Sequence, residues 1–301
     1  MDNGDCVTQQ SDPIVMEPGA QSFWNDQFFQ TFRQIAYRYG TEPKSPYPFY
    51  EIRRDHVCDW LSSRKPGHAI DIGCGGGHVL EALLAAGWTG AGCDFSPNMV
   101  RFAKERLAAI GYGAVDVDLR NATDLRAYGA ETANAALCLG PIEYLDADEV
   151  VSAYAGMHRL LAPSGVLVCA HVNALFDLFT SDGFTAPALS ALSRETYGLD
   201  DASHNALRRV LEDRLGSQPD ASIRNAVATR PDNPLTIGDT LAHHGFILKD
   251  IRFYRFYVAP PFAGRALGWP ETDAIDHEKR LATGWPGHVL ASSFLTFSEK
   301  Q

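Results

Sequence analysis

Several absences narrow what this chain can be. No run approaches the ~18 consecutive apolar residues that a membrane span needs, and Met1 to Ser11 is polar, without the apolar stretch of a secretory leader. None of the 6 cysteines forms a C-x-x-C pair, so neither a zinc site nor a redox dithiol has its usual spacing. Four of the set Cys6, Cys58, Cys74, Cys93, Cys138 and Cys169 lie inside apolar runs, the setting of buried, reduced thiols in a reducing compartment. Positive charge is scarce. With 26 basic against 37 acidic residues and a net charge of −11, the chain is poorly suited to neutralise a phosphate backbone. No internal repeat is found. The expectation is a soluble, cytoplasmic protein with no membrane, nucleic-acid or metal partner.

What is present supports a globular fold. The 301 residues allow one large domain or two small ones, and 45% hydrophobic with 21% charged residues supplies a substantial core. Residues 1–20 are polar with little periodicity and are expected to be loose. Ser22 to Tyr39 is rich in Phe, Trp and Tyr at helix-compatible spacing, and Pro43, Pro46 and Pro48 interrupt it. Phe49 to Leu61 then reads as a helix with Ile52, Val57, Trp60 and Leu61 as its apolar stripe. From His68 onward strand and helix signals alternate. Strands are expected at Ala69–Ile72, Thr89–Cys93, Ala114–Leu119, Ala135–Leu139 and Val166–Val172, with helices at Val79–Ala86, Pro97–Ile110 and Asp148–Leu161. Such a rhythm predicts a doubly wound α/β fold, a mostly parallel sheet covered on both faces.

After Val172 the rhythm breaks for some sixty residues, to Leu235, far more than a minimal crossover needs. An insertion of that size is expected to cap a site. Ile237–His244 reads as a helix, Phe246–Tyr257 as a strand, and Val289–Phe297 as the strand that closes a seven-stranded sheet. Four units are therefore expected: an aromatic helical arm (1–61), a Rossmann-like core (62–172), a cap (173–235) and C-terminal strands (236–301).

The densest constellation is Asp71-Ile72-Gly73-Cys74-Gly75-Gly76-Gly77, a strand end running into a helix, with Asp94 at the next strand end. Glycines permit φ > 0 and close backbone approach to a ligand, and an acidic residue about twenty positions on can accept both hydroxyl protons of a ribose. Any nucleoside-bearing cofactor suits that geometry. A dinucleotide site wants a third glycine for helix–strand packing; counted from Gly73 that place holds His78, and from Gly75 it holds Leu80.

The pattern D-x-G-x-G-x-G resembles motif I of the class I S-adenosylmethionine-dependent methyltransferases. Four further stretches are similar to that family's motifs: Cys93 to Met99, Asn121 to Leu125, Leu137 to Leu145, and Leu160 to Leu167. The resemblance implies S-adenosylmethionine as cofactor. By position it implies that Asp71, Gly73, Cys74, Gly75 and Gly77 line the methionine end and that Asp94 holds the ribose. Phe95 and Met99 would pack on adenine, Asn121, Ala122 and Asp124 would meet its edge, and Leu139 would sit beside the methyl group. Arg54 is a candidate for the cofactor carboxylate.

Because the sulfonium already activates the methyl group, the protein needs mainly alignment, exclusion of water and, for a hydroxyl acceptor, a base. His171, after the fifth strand's apolar run, is a candidate base; Glu143 and Tyr144, just past the fourth strand, face the expected acceptor side. His243, His244 and His288 are further candidates, and Ala259-Pro260-Pro261-Phe262 reads as a loop stiffener. The expected reaction is methyl transfer to nitrogen or oxygen of a small specialised or sugar-containing metabolite. The alternatives are a cofactor-binding protein without transfer activity and a nicotinamide-dependent oxidoreductase. Homo-oligomerisation through the aromatic arm is a further expectation.

Overall fold

Strands buried along their whole length need cover on both faces, and the central strands here are of that kind. In the computed structural model, which describes residues 49–180, 183–215, 229–257 and 275–301, they build one sheet in the order β3-β2-β1-β4-β5-β8-β7. The strands are β1 (His68–Ile72), β2 (Thr89–Asp94), β3 (Val117–Leu119), β4 (Ala133–Cys138), β5 (Leu161–Asn173), β6 (Pro231–Asp232), β7 (Phe246–Phe256) and β8 (Ala291–Lys300). Strands β1 to β5 pair in parallel, whereas β8 lies antiparallel between β5 and β7. The two-residue β6 sits beside the end of β5, pairing Val172 with Pro231 and Asn173 with Asp232. It makes eight strands where seven are expected, and two residues are too few for periodicity to reveal.

Helices α1 (Phe49–Leu61) and α2 (His78–Ala85) cover one face, where Val57, Leu61, Val79 and Leu83 pack on Leu137, Val168 and Phe297. On the other face α4 (Ala147–Leu160) and α8 (Ile237–His243) contribute Tyr154, Met157, Ile237 and Leu241 to a core with Ile70, Cys138, Cys169 and Phe294. Between the first two strand–helix units, α3 (Pro97–Ala109) packs Val100, Ala103 and Leu107 on Leu80 and Val117. Local chemistry sets the helix starts. Ser96 caps α3 by accepting the Met99 N–H at 3.4 Å, with Pro97 in the first turn, and Asp146 and Glu149 form a reciprocal capping box on α4. The five cysteines among the described residues are free thiols, four of them buried.

Several expected boundaries move. β3 is only Val117–Leu119, because a turn closed by the Val115 N–H on the Tyr112 carbonyl at 3.0 Å takes up Ala114 and Val115. β5 begins five residues early: its pairing with β4 shifts register between Ala133 and Ala135, so the Pro163-Ser164-Gly165 turn becomes a bulge with Ser164 at φ 61°. Gly287–Leu290 is a short helix, α10, rather than the start of β8. The insertion contains α5 (Asp177–Thr180), α6 (Thr185–Tyr197) and α7 (Asp201–Leu215) before β6; α9 (Ile275–Leu281) follows β7. The aromatic stretch Ser22–Tyr39 and the Pro260-Pro261 loop lie outside the described residues. No helix among them is long and apolar enough to cross a membrane.

Asn173 fastens the insertion's start to the sheet. Fully buried, its Nδ2 donates to the carbonyls of Ala291 at 2.7 Å, His288 at 2.9 Å and Gly287 at 3.3 Å, while its Oδ1 accepts the Leu175 N–H at 3.0 Å. Replacing Asn173 by Leu strands those groups, and the urea midpoint should report a loss of about 2–4 kcal/mol; an unchanged midpoint would contradict this account.

Candidate active site

In an open parallel sheet the ligand crevice forms beyond the carboxyl ends of the strands where the strand order reverses. Here that place is between β1 and β4, and two loops meet there. Gly73, Gly75 and Gly77 all have positive φ (69°, 51° and 74°), which turns the chain sharply from β1 into α2 at little steric cost. A β-carbon at Gly73 would stand 2.1 Å from Pro141 Cγ. The glycine loop and the β4 exit loop can therefore touch only without a side chain there. The amides of Gly73 and Cys74 both donate to the Cys93 carbonyl, at 2.7 and 2.9 Å, tying the loop to the end of β2.

Asp94 completes that tie. Its Oδ2 accepts the Gly75 N–H at 3.0 Å and its Oδ1 the Ser96 N–H at 2.9 Å. Burial pushes its pKa up to about 6, against the pull of the Ser96 and Gly75 amides. Each carboxylate oxygen keeps an accepting lone pair, so the group can still take a vicinal diol. Met99 and Ala122 are buried nearby in sequence and Phe95 is half-buried, whereas Asn121 is exposed and its Oδ1 accepts the Thr123 N–H at 3.1 Å. Asp124 is engaged by the exposed Arg126 at 2.8 Å, which lowers its pKa to about 2.

On the other side of the crevice, Arg53 of α1 reaches inward. It donates to the Leu139 carbonyl, stands 5.3 Å over the Tyr50 ring and hydrogen-bonds the buried Tyr254. Its charge also bears on Asp71 and Glu143. Arg54 turns outward instead and pairs with Asp55 at 2.6 Å. The signal was available: Arg53, Val57 and Leu61 follow at intervals of four, so the buried face of α1 extends to Arg53 and not to its neighbour. Asp71 is buried in β1 and pushed up to about 7 by desolvation, partly offset by Arg53.

Glu143 and Tyr144 lie in a short 3-10 turn, Pro141–Tyr144, directly after Leu139 and Gly140. Burial raises the Glu143 carboxyl to about 7, while its hydrogen bond to Tyr144 and the charges of Arg53 and Arg255 restrain the rise. His171 is not open to an acceptor. Its ring is buried, with Nδ1 2.8 Å from Asp232 Oδ2, Nε2 3.0 Å from Thr296 Oγ1, and Phe294 stacked 4.9 Å away. Both nitrogens are occupied, so the structure corrects its expected availability as a base. His243 and His244 end α8 just before β7 begins, at the sheet edge opposite the crevice. His288 Nδ1 faces the Trp285 carbonyl at 3.2 Å. His78, half-buried, takes a hydrogen bond from Arg106 at 3.1 Å and points along α2 toward α3. No cluster of metal-ligating side chains occurs among the described residues.

A family model described as "Methyltransferase domain" matches residues 69–165, the span from β1 through the turn of β5. That match, together with the relatives and the shared fold below, supports a class I S-adenosylmethionine-dependent methyltransferase. Among curated proteins, it is 31% identical over 147 residues to a ubiquinone biosynthesis O-methyltransferase of Thiobacillus denitrificans, spanning 47% of this chain and 61% of that protein. The enzyme of the same name from Ralstonia nicotianae is 29% identical over 231 residues, 68% of this chain and 94% of its own. The chain thus spans less than two thirds of the first relative's length and nearly all of the second's.

Solved structures share the fold at low identity. Magnesium protoporphyrin IX methyltransferase of Synechocystis PCC 6803, with bound SAH, superposes with a TM-score of 0.54 at 17% identity, covering 93% of this chain and 97% of its own. A SAM dependent methyltransferase from Archaeoglobus fulgidus gives 0.52 at 15%, covering 91% and 100%. S-adenosylmethionine is the family's cofactor, and the loop with three positive-φ glycines beside a buried, doubly held carboxylate fits it.

The buried Asp71 has a titration consequence. A carboxyl raised to about 7 in the folded, ligand-free chain contributes stability that is present below its unfolded value near 4 and lost as pH rises through 7. An Asp71→Asn variant should therefore gain on the parent by about 2 kcal/mol between pH 5.5 and pH 8 in urea titrations. A pH-independent difference would contradict the burial described.

Proposed function

We propose that this chain transfers the methyl group of S-adenosylmethionine to an oxygen of a small-molecule acceptor, with Glu143 taking the proton. The observation that carries the reading is the placement of a partly buried carboxyl, near neutral in pKa, in the turn that leaves β4. A base works best when its pKa lies near the working pH. An acceptor hydroxyl gains from such a base, whereas an amine needs it less. The name O-methyltransferase borne by the curated relatives supports oxygen over nitrogen. That the acceptor is a specialised or sugar-containing metabolite is part of the same proposal.

Bound S-adenosylmethionine supplies a methyl group already activated on a sulfonium. The chain's own residues bind, orient and exclude water. In this reading Asp94 accepts from the ribose hydroxyls, and Asp71 with the Gly73–Gly77 loop, Cys74 and Gly75 included, surrounds the methionine end. Phe95 and Met99 flank the adenine, with Asn121 and Ala122 at its edge. Asp124 serves the amino group only if it releases Arg126. Arg53 takes the part first expected of Arg54, and Leu139 limits the space beside the methyl group. Tyr144 holds Glu143 by a hydrogen bond. Residues 173–235 cap the acceptor.

Two variants separate chemistry from binding. Transfer of labelled methyl to a panel of phenols, sugars and amines identifies the acceptor class. Glu143→Gln should then lower kcat/KM by about 10²–10³-fold and remove the limb near pH 7, with S-adenosylhomocysteine affinity kept within about twofold. Asp94→Ala should weaken S-adenosylhomocysteine by at least about 30-fold, the loss of charge-assisted hydrogen bonds. A fully active Glu143→Gln, or amines methylated in preference to hydroxyls, would overturn the assignment.

A further inference from the structure

The buried His171 has partners that lead somewhere. Asp232, which accepts from it, belongs to β6, where the insertion returns to the sheet. The same carboxylate takes the Arg230 guanidinium at 2.6 and 3.3 Å, and the main-chain N–H of Arg230 donates to the Glu143 carbonyl at 2.7 Å. A continuous string therefore runs from Thr296 in β8 through His171 in β5, Asp232 and Arg230 to the turn that leaves β4. An ionised Asp232 can only accept, so Nδ1 of His171 carries the proton between them, and Nε2 stands within hydrogen-bond reach of the Thr296 hydroxyl. Burial opposes ionisation of Asp232, yet the His171 hydrogen bond and Arg230 hold it below the usual carboxylate range.

The position of this string matters. Cys138, the last residue of β4, pairs with Cys169 of β5, so His171 stands two residues beyond the end of β4, at the level of the crevice. Two residues of β-pairing are a weak attachment for the end of a long insertion. The side-chain string supplies what the ladder lacks.

We propose that His171 and Asp232 are positioning residues for the acceptor side. They clamp β6 onto β5 and, through the Arg230 main chain, fix the Pro141–Tyr144 turn that presents Glu143. This deepens the function proposed above, since the turn bears on an acceptor only if the reaction is methyl transfer. It assigns to His171 an indirect part in place of proton transfer. The groups acting on the Glu143 carboxyl are Tyr144 in its own turn, Arg53 from α1, Arg255 from β7 and Asp232 from β6; Asp232 is the one that the clamp brings.

The test uses the full chain, selectively ¹³C-labelled at glutamate carboxyls, with Glu143 assigned by its loss in Glu143→Gln. In Asp232→Asn the Glu143 titration should move down by about half a unit or more, because a neighbouring negative charge is gone. Protection of the Arg230 amide against hydrogen exchange should fall by at least about tenfold in Asp232→Asn and His171→Leu, while β1 and β4 amides are unchanged. His171→Gln, which can still donate to Asp232, should lie between parent and His171→Leu. S-adenosylhomocysteine affinity, by calorimetry, should stay within about twofold in all three; a parent chain that fails to bind it would sink the cofactor reading and leave the clamp measurable. A folded Asp232→Asn with unaltered Glu143 titration and Arg230 exchange would overturn the clamp. So would unfolding of all three variants, His171→Gln included, which would make the pair a core element only.

Discussion

Beyond the ends of β1 and β4 two loops approach so closely that no side chain fits between Gly73 and Pro141, and everything at the site depends on that contact. It requires a residue without a β-carbon at φ 69°, and it brings the glycine loop, the Leu139 carbonyl and the Glu143 turn around one crevice. Asp94 adds the second constraint. By accepting from Gly75 and Ser96, one carboxylate locks the loop to the start of α3, so the feature suited to grip a ribose also holds the loop in shape.

Two buried carboxyls, Asp71 and Asp94, and the half-buried Glu143 stand around this crevice. Asp71, Asp94 and Glu143 are all raised by desolvation, and Arg53 is the cation that bears on two of them. Such a site costs folding free energy near neutral pH and favours a ligand that brings positive charge. A cofactor carrying both a sulfonium and an ammonium meets that condition. The family resemblance and the electrostatics thus agree without either being derived from the other.

Much of this was legible from residue order. The parallel core, the glycine loop with its acidic partner and the break in rhythm after Val172 follow from local turn chemistry and hydrophobic period, which depend on near neighbours. What was not legible depends on residues far apart in the chain. His171 and Asp232 are separated by 61 positions, and His171 and Thr296 by 125. No period links them, so an isolated histidine at a strand end looked like a free base. Arg54 shows a different limit: a one-residue step turns a helix by about 100°, and only the full buried stripe, carried back from Leu61 through Val57, puts Arg53 rather than Arg54 on the inward face. β6 was hidden by its length.

The central claim is that the crevice between β1 and β4 accepts S-adenosylmethionine and not a dinucleotide. Thermal unfolding of the full chain with S-adenosylhomocysteine or with NAD titrated in parallel decides it. The account predicts a saturable rise in the melting temperature with S-adenosylhomocysteine and none with NAD. A rise with NAD alone, or with neither ligand, would contradict it.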